Sequence, residues 1–383
     1  MKPANPAILS LITMVIAATL PAPAQGIEFE HGSYRVTLEA FTNLTAARHD
    51  GAESLPDTIA YDARADAEAR VLGLVSLGGD NALGARLTLR GASGPEDSSA
   101  EYAERSLIAL GDGGRLELGR RRGLPDVLTG YAPNNYQFVS AEFGPASGAS
   151  LDPDGGLQTA FIGSTAARAI GALVGSGITS AFFFDESTKL IYVSPKVNGF
   201  LGGVSYAPDM SDTDDRFKEL TQFGLTHDSY WRQNLLHVGG TYTHAAGRDG
   251  TDDLDSVSLG ATLVLENELI LGASASYDGD SGLARGPAAP YGSTAYGYAA
   301  SVNYNDGPWT VGGFIQRARQ EGDTAGLGDD RLVAWEIGAS YRTSTRVRFY
   351  GAVYHYRFED EGGAGGLGRI SGTVLLGGVR LAL

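Results

Sequence analysis

Apolar and polar residues alternate with period two along most of this chain, and that alternation predicts strands rather than helices. Over 61–71, one face carries Ala63, Ala65, Ala67, Ala69 and Val71, while the other carries Asp62, Arg64, Asp66, Glu68 and Arg70. The same separation recurs over 83–90, where Leu87 and Leu89 oppose Arg86, Thr88 and Arg90. It recurs again over 254–265 (Val257, Leu259, Ala261, Leu263 and Leu265 against Ser256, Ser258, Gly260 and Thr262) and over 295–304 (Tyr296, Tyr298, Ala300, Val302 and Tyr304 against Gly297, Ala299, Ser301 and Asn303). About sixteen such strands are expected, near 33–41, 61–77, 82–92, 101–111, 114–121, 188–195, 200–207, 219–228, 234–245, 254–266, 269–278, 293–305, 309–319, 331–342, 346–358 and 369–383.

Any antiparallel sheet with one wet face alternates in this way, so a β-sandwich or a secreted β-rich adhesin competes with a barrel. Three features favour the barrel. Charges of both signs stand close together at strand centres, which suits a watery lumen. The opposite faces end in Tyr, Trp and Phe, as an aromatic girdle would. Connections also alternate in length: short turns at 79–81, 112–113, 196–198, 266–268, 305–308 and 343–345 are interleaved with long polar loops at 42–60, 92–100, 122–187, 208–218, 246–253, 279–292, 320–330 and 359–368. Tight turns on one side and longer loops on the other, with an even strand count, predict an all-β fold, a closed transmembrane antiparallel barrel.

The start of the chain agrees with that destination. Lys2 precedes an uncharged apolar run over 7–20, followed by Ala22-Pro23-Ala24, so 1–24 is expected to be a signal peptide and 25–383 the barrel domain. A run of that length is too short for a spanning helix, and no run of spanning length follows it. The chain has no cysteine, so an exported protein of 383 residues must be held by one extensive architecture rather than by disulfides. With 54 Gly, 18 Tyr and 14 Phe it suits many short strands joined by turns. A formal charge of −16 argues against nucleic acid and is compatible with a surface facing anionic lipopolysaccharide bridged by divalent cations.

Two segments carry a resemblance to a known family. Arg105-Ser106-Leu107-Ile108-Ala109-Leu110-Gly111-Asp112-Gly113-Gly114-Arg115-Leu116-Glu117-Leu118-Gly119-Arg120 resembles the hairpin of the Gram-negative general porins, alphaproteobacterial type. Tyr192-Val193-Ser194-Pro195-Lys196-Val197-Asn198-Gly199-Phe200 is similar to that family's Tyr-x-Ser-Pro-x-x-x-Gly-Phe stretch, and Gly377-Gly378-Val379-Arg380 to its last strand. The chain departs from the family by ending in Leu381-Ala382-Leu383 instead of an aromatic residue, although the apolar parity of Val379, Leu381 and Leu383 is kept. The resemblance implies an outer-membrane homotrimer whose subunits each form a water-filled channel for ions and small polar solutes. It also implies that the long third loop, 122–187, folds into the lumen and narrows it.

That loop is too long for an ordinary hairpin connection, and its Phe, Tyr, Ile and Leu residues give it material to pack. Its acids include Asp126, Glu142, Asp152, Asp154, Asp185 and Glu186. Glu142-Phe143-Gly144 resembles the Glu-Phe-Gly of the family's constriction loop, which implies an acidic lip at Glu142 with Asp152 and Asp154 beside it. Parity points Arg35, Arg64, Arg70, Arg86 and Arg90 into the lumen, where a basic wall facing acids would set up a transverse field. Arg120-Arg121-Arg122, at the root of the loop, can clamp its acids or stay solvated.

Other chemistries find little footing. There is no Cys, no Gly-x-Ser-x-Gly elbow and no phosphate loop, and the six His are scattered, with His237 and His244 on opposite faces of one strand. A lipase-like barrel with Ser and His on one strand is the best enzyme alternative. Asp152-Pro153-Asp154-Gly155 is similar to the start of a calcium loop, but the remaining ligands are missing, and no cofactor is expected. No aromatic stripe can be assigned to a solute-specific path.

Overall fold

The computed structural model describes residues 26–50, 61–93, 98–128, 185–211, 216–248, 253–279, 285–286, 289–290, 295–320, 329–359 and 369–382. A short N-terminal strand β1 (Ile27–His31) precedes β2 (Tyr34–Asp50), β3 (Tyr61–Gly78), β4 (Asn81–Ser93), β5 (Ser98–Gly111) and β6 (Gly114–Arg120). A single helical turn, α1 (Leu124–Val127), follows. Next come β7 (Thr188–Val193), β8 (Phe200–Asp209), β9 (Phe217–Trp231), β10 (Asn234–Gly247), β11 (Leu254–Val264) and β12 (Leu269–Gly279). Two residue pairs, β13 (Arg285–Gly286) and β14 (Ala289–Pro290), form a minimal ladder in the next loop. The chain ends with β15 (Ala295–Asp306), β16 (Trp309–Gln320), β17 (Asp330–Arg342), β18 (Val347–Glu359) and β19 (Arg369–Ala382).

From β2 to β19 each long strand pairs antiparallel with its neighbours in sequence, and β19 returns to pair with β2, so sixteen strands close into a barrel. Closure gives every long strand a partner on both sides. On the seam, β19 covers the upper part of β2 (Ala382 opposite Phe41, Thr373 opposite Asp50), and β1 covers the lower part (Ile27 opposite Leu38, His31 opposite Tyr34). The two strands thus lie end to end along one edge of β2.

Alternation dictates which side chains enter the lumen. Outward positions such as Leu107, Leu259 and Ile337 are about 60 % exposed, while their inward neighbours Glu104, Ser258 and Glu336 are buried. Exposed apolar side chains on every strand are costly in water and favourable against lipid. Aromatic residues end the apolar band on both sides. Trp309 packs on Tyr341 with ring centroids 4.6 Å apart at the short-turn end, beside Phe349, and Phe223 stacks on Tyr242 at 6.5 Å at the other end, near Tyr277 and Tyr298.

The expected strands are found with small shifts in their ends, and the short connections all lie on one side. Two differences stand out. Strand β1 was not expected, and the expected strand 33–41 runs on to Asp50, so the loop starts at 51 rather than 42. The cause is weak contrast: Asn43, Thr45 and Ala47 turn inward, but the outward set contains only Leu44, Ala46 and Arg48.

Candidate functional site

The root of the third loop turns into the barrel and lies on its inner wall. After β6, the chain enters α1, whose first backbone amide, Leu124 N, donates to Gln222 Oε1 on β9 at 2.8 Å, an oxygen also taken by Ser205 Oγ of β8 at 3.0 Å. Leu124 and Leu128 pack with Ile191, Val193 and Leu201. Glycines make the seat: a Cβ at Gly203 would stand 2.7 Å from Leu124 Cδ1, and one at Gly224 would stand 2.4 Å from Leu128 Cδ1.

Around this root, charged side chains from β3 to β6 form a buried network. Arg90 Nε donates to Glu68 Oε2 at 2.8 Å across the β3–β4 ladder, where the two residues are register partners, and Arg90 also reaches Glu186 just before β7. Arg70 Nη2 lies 3.1 Å from Glu68 Oε1 and Nη1 3.4 Å from Glu39. Glu117 collects Arg86 at 3.4 Å, Arg115 at 3.1 Å and Arg121 at 3.3 Å. Glu104 accepts from Thr88 Oγ1 at 2.9 Å and from the Arg122 amide at 3.4 Å, and it also binds Arg121. Asp126 holds Arg121 at 2.9 Å and Arg122 at 3.4 Å. Burial alone would raise the Asp126 carboxyl, but Arg121 and Arg122 outweigh it and hold it below the usual carboxylate range. The return of the loop is fastened separately, with Lys189 Nζ donating to the Asp185 carbonyl at 2.7 Å and to its carboxylate.

Burial of so many ions costs several kcal/mol per ion unless each is paired, and alternation of sign along the wall supplies the pairing. The wall so built is rigid, densely charged and aimed at the lumen.

The sequence-derived site residues are distributed as follows. Arg86, Arg90 and Arg70 belong to the network. Arg35 does not: it lies near the short-turn end and pairs with Glu28 at 2.9 Å and Glu30 at 2.6 Å of β1. Arg64 sits on β3 opposite Thr45, and its side chain lies outside the described residues. Glu142, Asp152 and Asp154 also lie outside the described residues. Arg121 and Arg122 clamp acids rather than standing in solvent. Sequence reasoning offered Asp66 or Glu68 only as partners of Arg64 and missed Glu104 and Glu117 as partners of the basic wall, although parity alone places them on its face.

A second inner surface was also missed. On β18, Tyr350, Tyr354, Tyr356 and Phe358 point inward and are buried in one apolar cluster with Phe314, Leu332 and Val374. An aromatic stripe therefore exists, with the buried Glu336 as the cross-strand partner of Tyr354. It was hidden because His355 and Arg357 alternate with it while Phe349 and Val353 continue the other face, so neither face reads as apolar or polar throughout.

Among the described residues no group of three His, Cys, Asp or Glu side chains is placed to hold a metal ion. His237 is bound to Asp228 inside the barrel, and His244 to Asp255 outside it at 3.0 Å, as the parity of β10 requires.

Comparisons with known proteins agree with the barrel. A solved anion-selective porin from Comamonas acidovorans is similar with a TM-score of 0.59 at 19 % identity, covering 91 % of this chain and 100 % of that one. A mutant porin of Rhodopseudomonas blastica gives 0.56 at 15 % identity, covering 91 % and 100 %. A loop-deletion mutant of OmpT, an outer membrane protein of Vibrio cholerae, gives 0.58 at 12 % identity, covering 92 % and 100 %. At these identities the likeness shows the fold. No curated protein sequence matches significantly. The family model described as Gram-negative porin matches residues 11–361. A closed sixteen-strand barrel, an inner wall of paired charges and a match over most of the sequence lead to one assignment: this chain belongs to the Gram-negative porins and is a channel of the outer membrane.

Proposed function

We propose that the protein is a passive, water-filled channel for ions and small hydrophilic solutes, and that it catalyses no reaction and needs no cofactor, calcium included. The observation that carries this reading is the inward seating of the third-loop root on Gly203 and Gly224 beside the buried network of Arg86, Arg90 and their acids. A loop that starts inside the lumen narrows it. The 122–187 segment is then the constriction, with Glu142, Asp152 and Asp154 at its acidic lip, Arg86 and Arg90 in the basic wall, and Arg64 on the same face. The buried inner face of β18 supplies an apolar surface against which such a segment can rest. Arg35, fixed by Glu28 and Glu30, belongs to the short-turn mouth.

The channel is proposed to work as a homotrimer. A shallow hollow on the outer surface of the seam, floored by Ala46, Ala63 and Gly377, supports close approach of another barrel there. Purified protein in a planar bilayer should give ohmic steps, and vesicles carrying it should swell in isotonic small sugars but not in large oligosaccharides. Absence of conductance from a folded, heat-modifiable trimer would overturn the reading.

A further inference from the structure

We propose that the lumen wall of β17–β19 and β2, at the short-turn mouth, carries a binding site for a phosphate dianion, free or esterified to a small alcohol; this rests on the channel reading and deepens it by naming a solute class. Arg342 is the last residue of β17, Arg348 the second of β18 and Arg380 the third from the end of β19. Each has the inward parity of its strand, shared with the buried Ser340, Tyr350 and Leu376. The pairing register sets them in one row: Arg342 opposite Arg348, Arg348 opposite Arg380, and Arg380 opposite Asn43 of β2. At about 4.8 Å per strand step, three guanidinium-bearing residues stand within roughly 10 Å, away from the paired charges of β3 to β6.

Like charges directly opposite one another destabilise a sheet, so this row needs a counter-charge. Among the described residues, neither Arg342 nor Arg380 forms an ion pair with a carboxylate. Glu68, on the next inner row, is held by Arg90 at 2.8 Å and Arg70 at 3.1 Å. Asp66, opposite Asn43 on β3, bounds the row on its far side. Arg380 instead lies over the Phe41 ring, 4.5 Å from its centroid, a contact that positions the guanidinium and leaves its charge for a ligand.

Asn43 supplies an independent sign of a ligand. It is 1 % exposed, and neither its side-chain nitrogen nor its oxygen has a hydrogen-bond partner among the described residues. A buried amide left in that state is costly, and an oxyanion held by Arg380 would accept from its nitrogen. The row above is filled by Tyr350, whose hydroxyl crosses Gly378 to meet Thr45 Oγ1; a Cβ at Gly378 would stand 2.5 Å from that hydroxyl. Below, Arg342 is exposed at the mouth, which gives a solute its way in. Guanidinium forks bind phosphate oxygens two at a time, and a phosphate dianion has oxygens enough for several forks and an amide donor. Chloride cannot use that directionality, and a carboxylate offers a single planar pair of oxygens.

The test uses the full-length trimer in detergent at about pH 8, above the second ionisation of a phosphate ester near about 6. Inorganic phosphate and glycerol phosphate should each raise its unfolding temperature, because a ligand of the folded state stabilises it, while chloride at equal ionic strength should not. A response to both assigns the site to the phosphoryl group, and a response to inorganic phosphate alone assigns it to the free ion. The double variant Arg348→Gln and Arg380→Gln should need at least about tenfold more phosphate for the same shift. Arg380→Lys, which keeps the charge and loses the fork, should weaken the response while the reversal potential in potassium chloride stays put, and it decides the matter if the double variant fails to fold. Arg105→Gln, an outward arginine of β5, should respond like the native protein. Equal responses from the native protein and Arg380→Lys, or malonate as effective as phosphate, would overturn the proposal. A native trimer that responds to phosphate but passes no current in a bilayer would keep this site and refute the channel reading; a conducting trimer indifferent to phosphate would do the reverse.

Discussion

Leu128 is seated on Gly224: the Cδ1 atom of the one lies 2.4 Å from where a Cβ of the other would be, so the third loop enters the lumen over a notch left by the absent side chain. An alanine at 224 meets only the tip of a flexible side chain, which can turn aside. A β-branched valine adds a second branch against Thr241 and Leu124, and overpacking of this kind costs about 1–3 kcal/mol. Gly224→Val should therefore loosen the loop root, giving noisier and larger single-channel steps, while Gly224→Ala stays near the native trace. Identical recordings from both variants would show that the seat does not set the aperture.

Glu104 is the most contested acid of the inner wall, shared by Thr88, Arg121 and the Arg122 amide. Glu104→Gln keeps the shape and removes the charge, leaving Arg121 to Asp126 and Glu117. Breaking one member out of a buried ionic set commonly costs about 3–5 kcal/mol, and the shared partners here reduce that toward the lower figure. The temperature at which the barrel loses its compact mobility on an SDS gel should fall by several degrees, more than for Glu39→Gln, whose carboxylate is half exposed.

Asp126 sets a pH window. Its carboxyl is held below the usual range by Arg121 and Arg122 against the upward pull of burial. A depressed folded-state value means the unfolded chain takes up the proton first, so the stabilisation is fully present above the unfolded value near about 3.9 and is lost as pH falls through the folded one. Thermal unfolding of the native protein should be insensitive to this group from pH 7 down to about 5, then weaken below about 4. Asp126→Asn should unfold at lower temperature at pH 7, with the gap to native closing at acid pH; a gap that widens on acidification would refute the assignment.

Much of the fold was legible because a barrel wall has only two faces. Ala65, Ala67 and Ala69 against Asp66, Glu68 and Arg70 fix inside and outside without any tertiary knowledge. Legibility failed where one face lost contrast, as in 42–50 and on β18, and where five residues, Ile27–His31, completed an edge begun by β19. The charged wall was half legible for another reason. Parity gives the face of Arg90 but not its partners, since Glu68 is 22 residues away and Glu186 is 96 away, and only register and the inward turn of the loop bring them together.

Selectivity offers the sharpest check on the constriction. If Glu142 stands at the lip, Glu142→Gln deletes a negative charge in a confined space where Coulomb energies are several-fold larger than in bulk water. The cation-to-anion permeability ratio should then fall. Arg86 is held at 3.4 Å by Glu117, which keeps two further arginines, so Arg86→Gln removes one positive charge without orphaning its partner, and the same ratio should rise. Both shifts should shrink in 1 M salt, where the Debye length is about 3 Å, and be plain at 0.01 M, where it is about 30 Å. Reversal potentials under a tenfold salt gradient read the ratio directly. Two variants that shift it in the same direction would mean that the field at the constriction is not set by these opposed poles, and the acidic lip would then have to be sought at Asp152 and Asp154.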